Sequence, residues 1–260
     1  KPNDSRIVFT QIPSKKFAPE HIAAITFTNK AAREMRSRVA KRISKQAAEL
    51  VTVTTFHSLG LKFLQQEYKK VGLRRGFSIF DSDDQQGLIK DLLPASADKD
   101  ALFAAQSWIS KVKNMALTPE QAQEHAKTIR EKEIAKLYSR YQERLRTFNA
   151  VDFDDLICLP LQILETDSEA LTRWQAQIRY LLVDECQDTN GAQYRMIKAL
   201  AGKQGLFTCV GDDDQSIYAW RGAQPENLEE LAVDYPALQV IKLEQNYRCS
   251  ARILRSANAV

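Results

Sequence analysis

No G-x-x-x-x-G-K-[ST] occurs anywhere in these 260 residues, and the opening stretch KPNDSRIVFTQIPSKKF contains no glycine at all. A backbone cradle for a polyphosphate needs glycines at fixed offsets and a lysine aimed by them, so Lys15 and Lys16 have no loop to aim them. There is no run of 18 apolar residues, which excludes a membrane-spanning helix. The N-terminus has no apolar segment of the secretory kind. The four cysteines, at 158, 186, 209 and 249, make no C-x-x-C pair. Neither a zinc site nor a disulfide framework is expected, and a reducing, cytoplasmic setting fits. No internal repeat or low-complexity tract is visible. The chain has no initiator methionine and ARILRSANAV stops inside a helical pattern, so both ends read as cuts through a longer protein.

What is present is enough for a full core, with 44% hydrophobic residues. The net charge of +4 hides an asymmetry: residues 1–76 carry 16 Lys and Arg against 5 Asp and Glu. A basic first third suggests a polyanionic partner, against the plainer alternative of a solvated helix face.

Apolar, β-branched runs recur at 21–28, 50–56, 180–185, 206–212 and 239–245. Their near-continuous apolar character suits strands buried on both faces, and helical patterns follow several of them. The alternation predicts an α/β fold, a parallel sheet flanked by helices. Between 81 and 148 there is no strand candidate. TPEQ at 118–121 reads as an N-cap, a proline in the first turn and a capping box. Ile134, Leu137, Tyr141, Leu145 and Phe148 keep helical spacing along one face. The predicted organisation is therefore 1–80 as the first part of the α/β domain, 81–148 as an all-helical insertion, and 149–260 as the remainder.

Three motifs end predicted strands. In YLLVDECQDTN, Asp184 and Glu185 stand where a parallel sheet delivers ligands, beyond the carboxyl ends of its strands. An Asp there can hold Mg2+ with substrate phosphates, and the adjacent Glu can polarise a water; acids decorating a helix N-terminus are the plainer alternative. VGDDDQSIYAWRGA packs three acids with Gln215, Tyr218, Trp220 and Arg221, a costly loop to bury but one suited to phosphate sensing and base stacking. LEQNYRCS places Tyr247 and Arg248 after another strand, where an arginine can act on a transferring phosphoryl group or clip a carboxylate. Upstream, TFTNKAAREM opens a helix after a strand, a ready anion site. Phe27 and Phe56 are aromatics beside polar groups, readable as base-stacking faces or as core. His57 suits a DNA contact or a satisfied hydrogen bond equally.

Together TFTNKAA, TTFHSLG, VDFDDLI, LLVDECQDTN, VGDDDQSIYAWRGA and LEQNYR resemble the ordered motifs of superfamily 1 DNA helicases of the UvrD/Rep/PcrA type, from about residue 20 to the end. The resemblance implies a RecA-like sheet and ATP-driven 3′→5′ movement on single-stranded DNA and its junctions with duplex. It implies Mg2+ and ATP as cofactors, and replication or repair proteins as partners. It assigns Asp184 to Mg2+, Glu185 to water activation, Gln215 to γ-phosphate sensing, Arg248 to an arginine finger and Tyr247 to adenine stacking. Phe27, Asn29, Phe56, His57, Tyr218, Trp220 and Arg221 would line the DNA track. VDFDD at 151–155 would mark the return to the sheet.

The sequence departs from that pattern in three places. The phosphate loop that should precede TFTNKAA is missing, no second RecA-like domain follows, and Cys186 stands where an aromatic is expected. By itself the chain should bind nucleotide poorly and turn it over negligibly, since phosphoryl transfer depends on positioning. Two alternatives are a non-catalytic single-strand binding module from a truncated or degenerate paralogue, and the motor of a helicase–nuclease.

Overall fold

The computed structural model describes residues 6–14, 16–212, 222–224, 226–243 and 249–257. The chain divides into two compact units: unit 1 is 1–55, 172–189 and 197–260, and unit 2 is 56–171 and 190–196.

Unit 1 is built on a six-stranded sheet. Its strands are β1 (Arg6–Thr10), β2 (Ile22–Thr26), β3 (Thr52–Thr55), β6 (Tyr180–Val183), β7 (Phe207–Gly211) and β8 (Gln239–Leu243), in the order β3-β2-β6-β7-β1-β8. β3, β2, β6 and β7 are mutually parallel, with Ala23 opposite both Thr52 and Leu181. The five strands anticipated from the sequence all form, and a sixth, β1, was not anticipated. It lies between β7 and β8 and runs antiparallel to both, so the sheet is mixed. RIVFT is short and mixed in polarity, and only its neighbours decide which way such a segment runs.

The interior strands are apolar on both faces because helices cover them: Ala23, Ala24, Ile25, Val53, Leu181, Val183, Phe207 and Cys209 are all buried. Helix α1 (Asn29–Arg42) starts from Thr28, whose hydroxyl accepts the Ala31 N–H at 3.1 Å. Its Arg36 donates to the Val53 carbonyl at 2.7 Å, and Ala32 and Met35 pack on Ala24, Val53 and Leu182. Helix α2 (Lys45–Leu50) then leads into β3.

Unit 2 opens with α3 (Phe56–Glu67) and a short parallel pair, β4 (Ser78–Ile79) with β5 (Ala150–Val151). Between these strands lie α4 (Ser82–Leu92), α5 (Lys99–Asn114), α6 (Pro119–His125) and α7 (Ile129–Thr147). α6 has the anticipated box, Thr118 accepting from Gln121 N–H while Gln121 reaches back to Thr118 N–H. Ile134, Leu137, Tyr141 and Leu145 are buried in a cluster with Ile89, Trp108 and Ile109. Phe148 departs from that face: it caps the end of α7, is 53% exposed, and lies 6.1 Å from the Phe80 ring.

Helix α8 (Asp155–Thr166) packs on α3 at close range. A Cβ on Gly60 would fall 1.7 Å from the Leu156 carbonyl oxygen. That carbonyl is four residues before Pro160, which has no N–H to bond it. Pro160 thus frees an oxygen, and only glycine leaves room for it on α3.

The interval 81–148 lies wholly within unit 2. Residues 151–155 belong to the β4–β5 pair and the start of α8, and the chain re-enters the six-stranded sheet at Tyr180. The remaining helices are α9 (Ser168–Gln177), α10 (Gly191–Ala201), α11 (Asn227–Asp234) and α12 (Ala251–Ala257).

Candidate functional site

In unit 1 the polar centre lies at the carboxyl edge of β6. Asp184 N–H bonds the Ile25 carbonyl at 3.0 Å, extending the ladder by one step. Burial, and then the neighbouring Glu185 charge, raise the Asp184 carboxyl above its ordinary range, with Arg6 opposing them. Glu185 has left the strand: its φ of 54° is left-handed, a conformation that costs a non-glycine residue of order 1 kcal/mol. The next residues, Cys186–Asp188, form a 3-10 turn.

That turn is held by side chains. Thr189 bonds the Cys186 carbonyl through its hydroxyl at 2.7 Å. Its own carbonyl accepts from Gln224 N–H and from Asn227 Nδ2, each at 3.0 Å, tying the turn to α11. Gln187 is buried and bidentate, donating to Glu185 Oε2 at 2.9 Å and accepting from Asp212 N–H at 3.1 Å. Arg6, at the start of β1, donates to Glu185 Oε1 at 2.9 Å. Both carboxylate oxygens are thus engaged. Asp188 has one buried oxygen, Oδ1, with no hydrogen-bond partner among the described residues. Burial and the Glu185 charge push its carboxyl up to about 6.

The other residues singled out in the sequence are distributed as follows. Phe27 is half-buried and Asn29 exposed at the start of α1, both in unit 1. Gln215, Tyr218, Trp220, Arg221, Tyr247 and Arg248 lie outside the described residues. Phe56, in unit 2, is only 1% exposed and offers no open face to a base. His57 beside it is half-buried, and burial holds its imidazole below the ordinary pKa.

His57 has a companion that the sequence reading missed. Phe153 is 53% exposed and meets the His57 ring edge-on, with centroids 6.1 Å apart at 70°. The only sequence signal was an aromatic among the acids of VDFDD. The turn beneath it is rigid because those acids are buried around Lys113. Lys113 Nζ, fully buried, reaches Asp152 at 2.6 Å and Asp155 at 2.8 Å, and Tyr141 donates to Asp152 at 2.8 Å. Backbone N–H groups of Asp152 and Asp155 each bond the other's carboxylate. Burial works against the Lys113 charge, but Asp152 and Asp155 overcome it and lift its pKa well above 10.5.

Arg6 and Gln187 are the other members that sequence reasoning passed over. Gln187 sits inside the quoted motif, yet nothing in its type or position shows that its amide spans two strands. Arg6 is brought to Glu185 by strand pairing alone.

Ligands of mostly parallel α/β sheets bind beyond the carboxyl ends of the strands, and the carboxylates of this α/β domain stand at that edge. The chain belongs to the family described as UvrD/REP helicase N-terminal domain, whose model matches residues 5–236 and whose fold is RecA-like. It is 50% identical over 244 residues to the ATP-dependent DNA helicase Rep of Salmonella typhimurium, covering 93% of this chain and 36% of that protein. Rep of Escherichia coli gives the same identity and coverage. The ATP-dependent DNA helicase PcrA of Staphylococcus aureus is 42% identical over 252 residues, covering 96% of this chain and 34% of PcrA. The chain thus spans about a third of the length of the curated relatives it matches.

Proposed function

We propose that this chain is part of an ATP-dependent 3′→5′ DNA helicase, supplying the carboxylates of the ATPase centre and part of the single-stranded DNA track. The observation that carries the reading is Asp184 and Glu185 at the carboxyl tip of β6, in a chain of the UvrD/REP family. Glu185 is the residue for polarising the attacking water, and its left-handed turn and the Gln187 hydrogen bond fix where its carboxylate points.

Mg2+ fits at Asp184. Burial and Glu185 leave that carboxyl short of positive charge, and Mg2+ accepts one or two protein carboxylates while keeping water and substrate phosphates. Such an ion would take its remaining ligands from water and the nucleotide phosphates. When bound it would neutralise phosphate charge; the chain's own part is to hold Asp184 at the strand end. Gln215 is proposed for γ-phosphate sensing, Arg248 for the arginine finger and Tyr247 for the adenine. Phe27, Asn29, Tyr218, Trp220 and Arg221 are proposed for DNA contacts, as are His57 and, with it, Phe153. Single-stranded DNA and its junctions with duplex are the proposed partners.

The Arg6–Glu185 pair favours a second reading for this chain taken alone, a single-strand binding module without turnover. A guanidinium already occupies the carboxylate that should face water. Both readings are tested by oligo-dT binding and ATP turnover, beside a Glu185→Gln control. Oligo-dT binding with no turnover above the control is expected. Loss of any DNA binding would overturn both readings. DNA-stimulated turnover that disappears in the control would show that residues 1–20 replace the phosphate loop.

A further inference from the structure

Residues 68–80, YKKVGLRRGFSIF, carry four cations and no acid. Lys70 is paired with Asp167. Lys69, Arg74 and Arg75 are exposed, and their side chains have no ion-pair partner among the described residues. Like charges this close repel, so their concentration on one short loop is informative only if the loop is also ordered.

It is tied down on both flanks of Arg75. The turn after α3 ends in a Schellman arrangement: Gly72 N–H bonds Lys69 O at 3.2 Å and Leu73 N–H bonds Tyr68 O at 3.0 Å. Gly72 has a φ of 74°, and Leu73 is buried. The Arg74 peptide is clamped on both sides by one side chain, its N–H donating to Asn149 Oδ1 at 2.7 Å and its carbonyl accepting from Asn149 Nδ2 at 3.3 Å. Asn149 is itself fixed in a left-handed conformation, φ 51°, between α7 and β5. Beyond the loop, Ser78 N–H bonds the Asn149 carbonyl at 3.0 Å, and β4 pairs with β5. The Arg74 stem therefore rises from backbone that is already set, and Arg75 follows directly on the clamped Arg74 carbonyl.

We propose that this loop is a phosphate-contacting surface, through which unit 2 holds a stretch of DNA backbone separate from that at His57 and Phe153. The proposal rests on the DNA reading above. A fixed backbone lowers the ordering cost of binding, and arginine forks match phosphate geometry. The loop offers charge with little exposed apolar surface: Leu73 is turned in, Tyr68, Val71, Phe77 and Phe80 are half-buried, and Ile79 is the one exposed apolar side chain of 68–80. That suits a phosphate chain better than an acidic protein surface, which would bring an apolar core to its interface. Helix α3 separates His57 from Tyr68 by about 16 Å at 1.5 Å per residue. At about 3.4 Å per nucleotide along one strand, the loop meets phosphates roughly five steps away.

The test is fluorescence anisotropy with a labelled fork of duplex DNA carrying a 3′ dT tail, titrated across a range of salt. Three proteins are compared: the unaltered chain, an Arg74→Ala/Arg75→Ala double variant, and a Lys132→Ala/Lys136→Ala double variant that removes equal charge from exposed positions on α7. All four side chains are exposed, and circular dichroism checks that each variant folds. The loop variant should bind roughly tenfold more weakly at the lowest salt, with a log–log salt slope shallower by about 1.5, as expected for two lost phosphate contacts. The α7 variant should match the unaltered chain. Equal affinity and slope for the loop variant would overturn the proposal, as would an equal loss in both variants, which would mean that only net charge matters. If the unaltered chain binds no fork at all, the DNA reading falls with it.

Discussion

Gln187 donates from Nε2 to Glu185 Oε2 at 2.9 Å while its own carbonyl oxygen takes the Asp212 N–H at 3.1 Å. One buried amide therefore links the tip of β6 to the end of β7. Gln187→Ala should strand the buried Asp212 N–H and release the Glu185 carboxylate. The expected loss is about 1–3 kcal/mol of unfolding free energy, read as a lower urea midpoint at unchanged m-value. Gln187→Glu should cost more, because it sets a second carboxylate beside Glu185.

Gly60→Ala is expected to be severe. The added methyl would sit 1.7 Å from backbone oxygen, not from a flexible side chain, so α3 and α8 must separate. A loss of about 3 kcal/mol or more in unit 2 follows from overpacking combined with backbone displacement. Gly87→Ala, where nothing lies within 4 Å, is the control and should leave stability unchanged or raised. Thermal denaturation of the two variants separates a steric cost from a general glycine effect.

Lys113→Met should leave Asp152 and Asp155 buried without their cation, at a cost of about 3–5 kcal/mol. Adding Asp152→Asn and Asp155→Asn to the same chain removes the stranded charges and should recover most of that loss. Urea unfolding of the single and triple variants makes the comparison. Equal stability of the two would show that Lys113 acts through packing and not through its charge.

Asp154 supplies a pH dependence. Burial, and then the Asp152 charge, lift its carboxyl to about 7, against 3.8 as its ordinary value. A carboxyl raised on folding binds its proton more tightly in the folded state, so the stability from this group is fully present below about pH 4 and is lost as pH rises from there through 7. Asp154→Asn cannot ionise. It should raise the melting temperature at pH 8 relative to the unaltered chain and bring the two close together at pH 5. A melting series across that range checks it; an equal difference at both pH values would remove Asp154 as the source.

Much of the architecture was legible along the chain because buried strands and helix caps are local in cause. The runs that became β2, β3, β6 and β7 are apolar and β-branched, and a segment buried under helices can hardly be written otherwise; the run that became β8 has the same character, yet all five of its residues are exposed. The Thr118–Gln121 box needs only four consecutive residues. Phe148 fell outside the pattern because a helical spacing does not say where the helix stops, and here the chain turns at Asn149. β1 escaped because a short, mixed strand owes its existence and direction to β7 and β8.

The sequence by itself determined that this is an α/β chain with carboxylates at a strand end and a basic first third, and its motifs carried the family. Those features depend on residue type and short spacing. The tertiary structure alone decided that Arg6 and Gln187 hold Glu185, that Phe153 faces His57, and that Lys113 lies between two aspartates. It also showed that Asn149 fixes Arg74. Apart from the local Gln187–Glu185 bond, these pairs join positions far apart along the chain, and their meeting depends on how strands and helices stack once the apolar surfaces are buried.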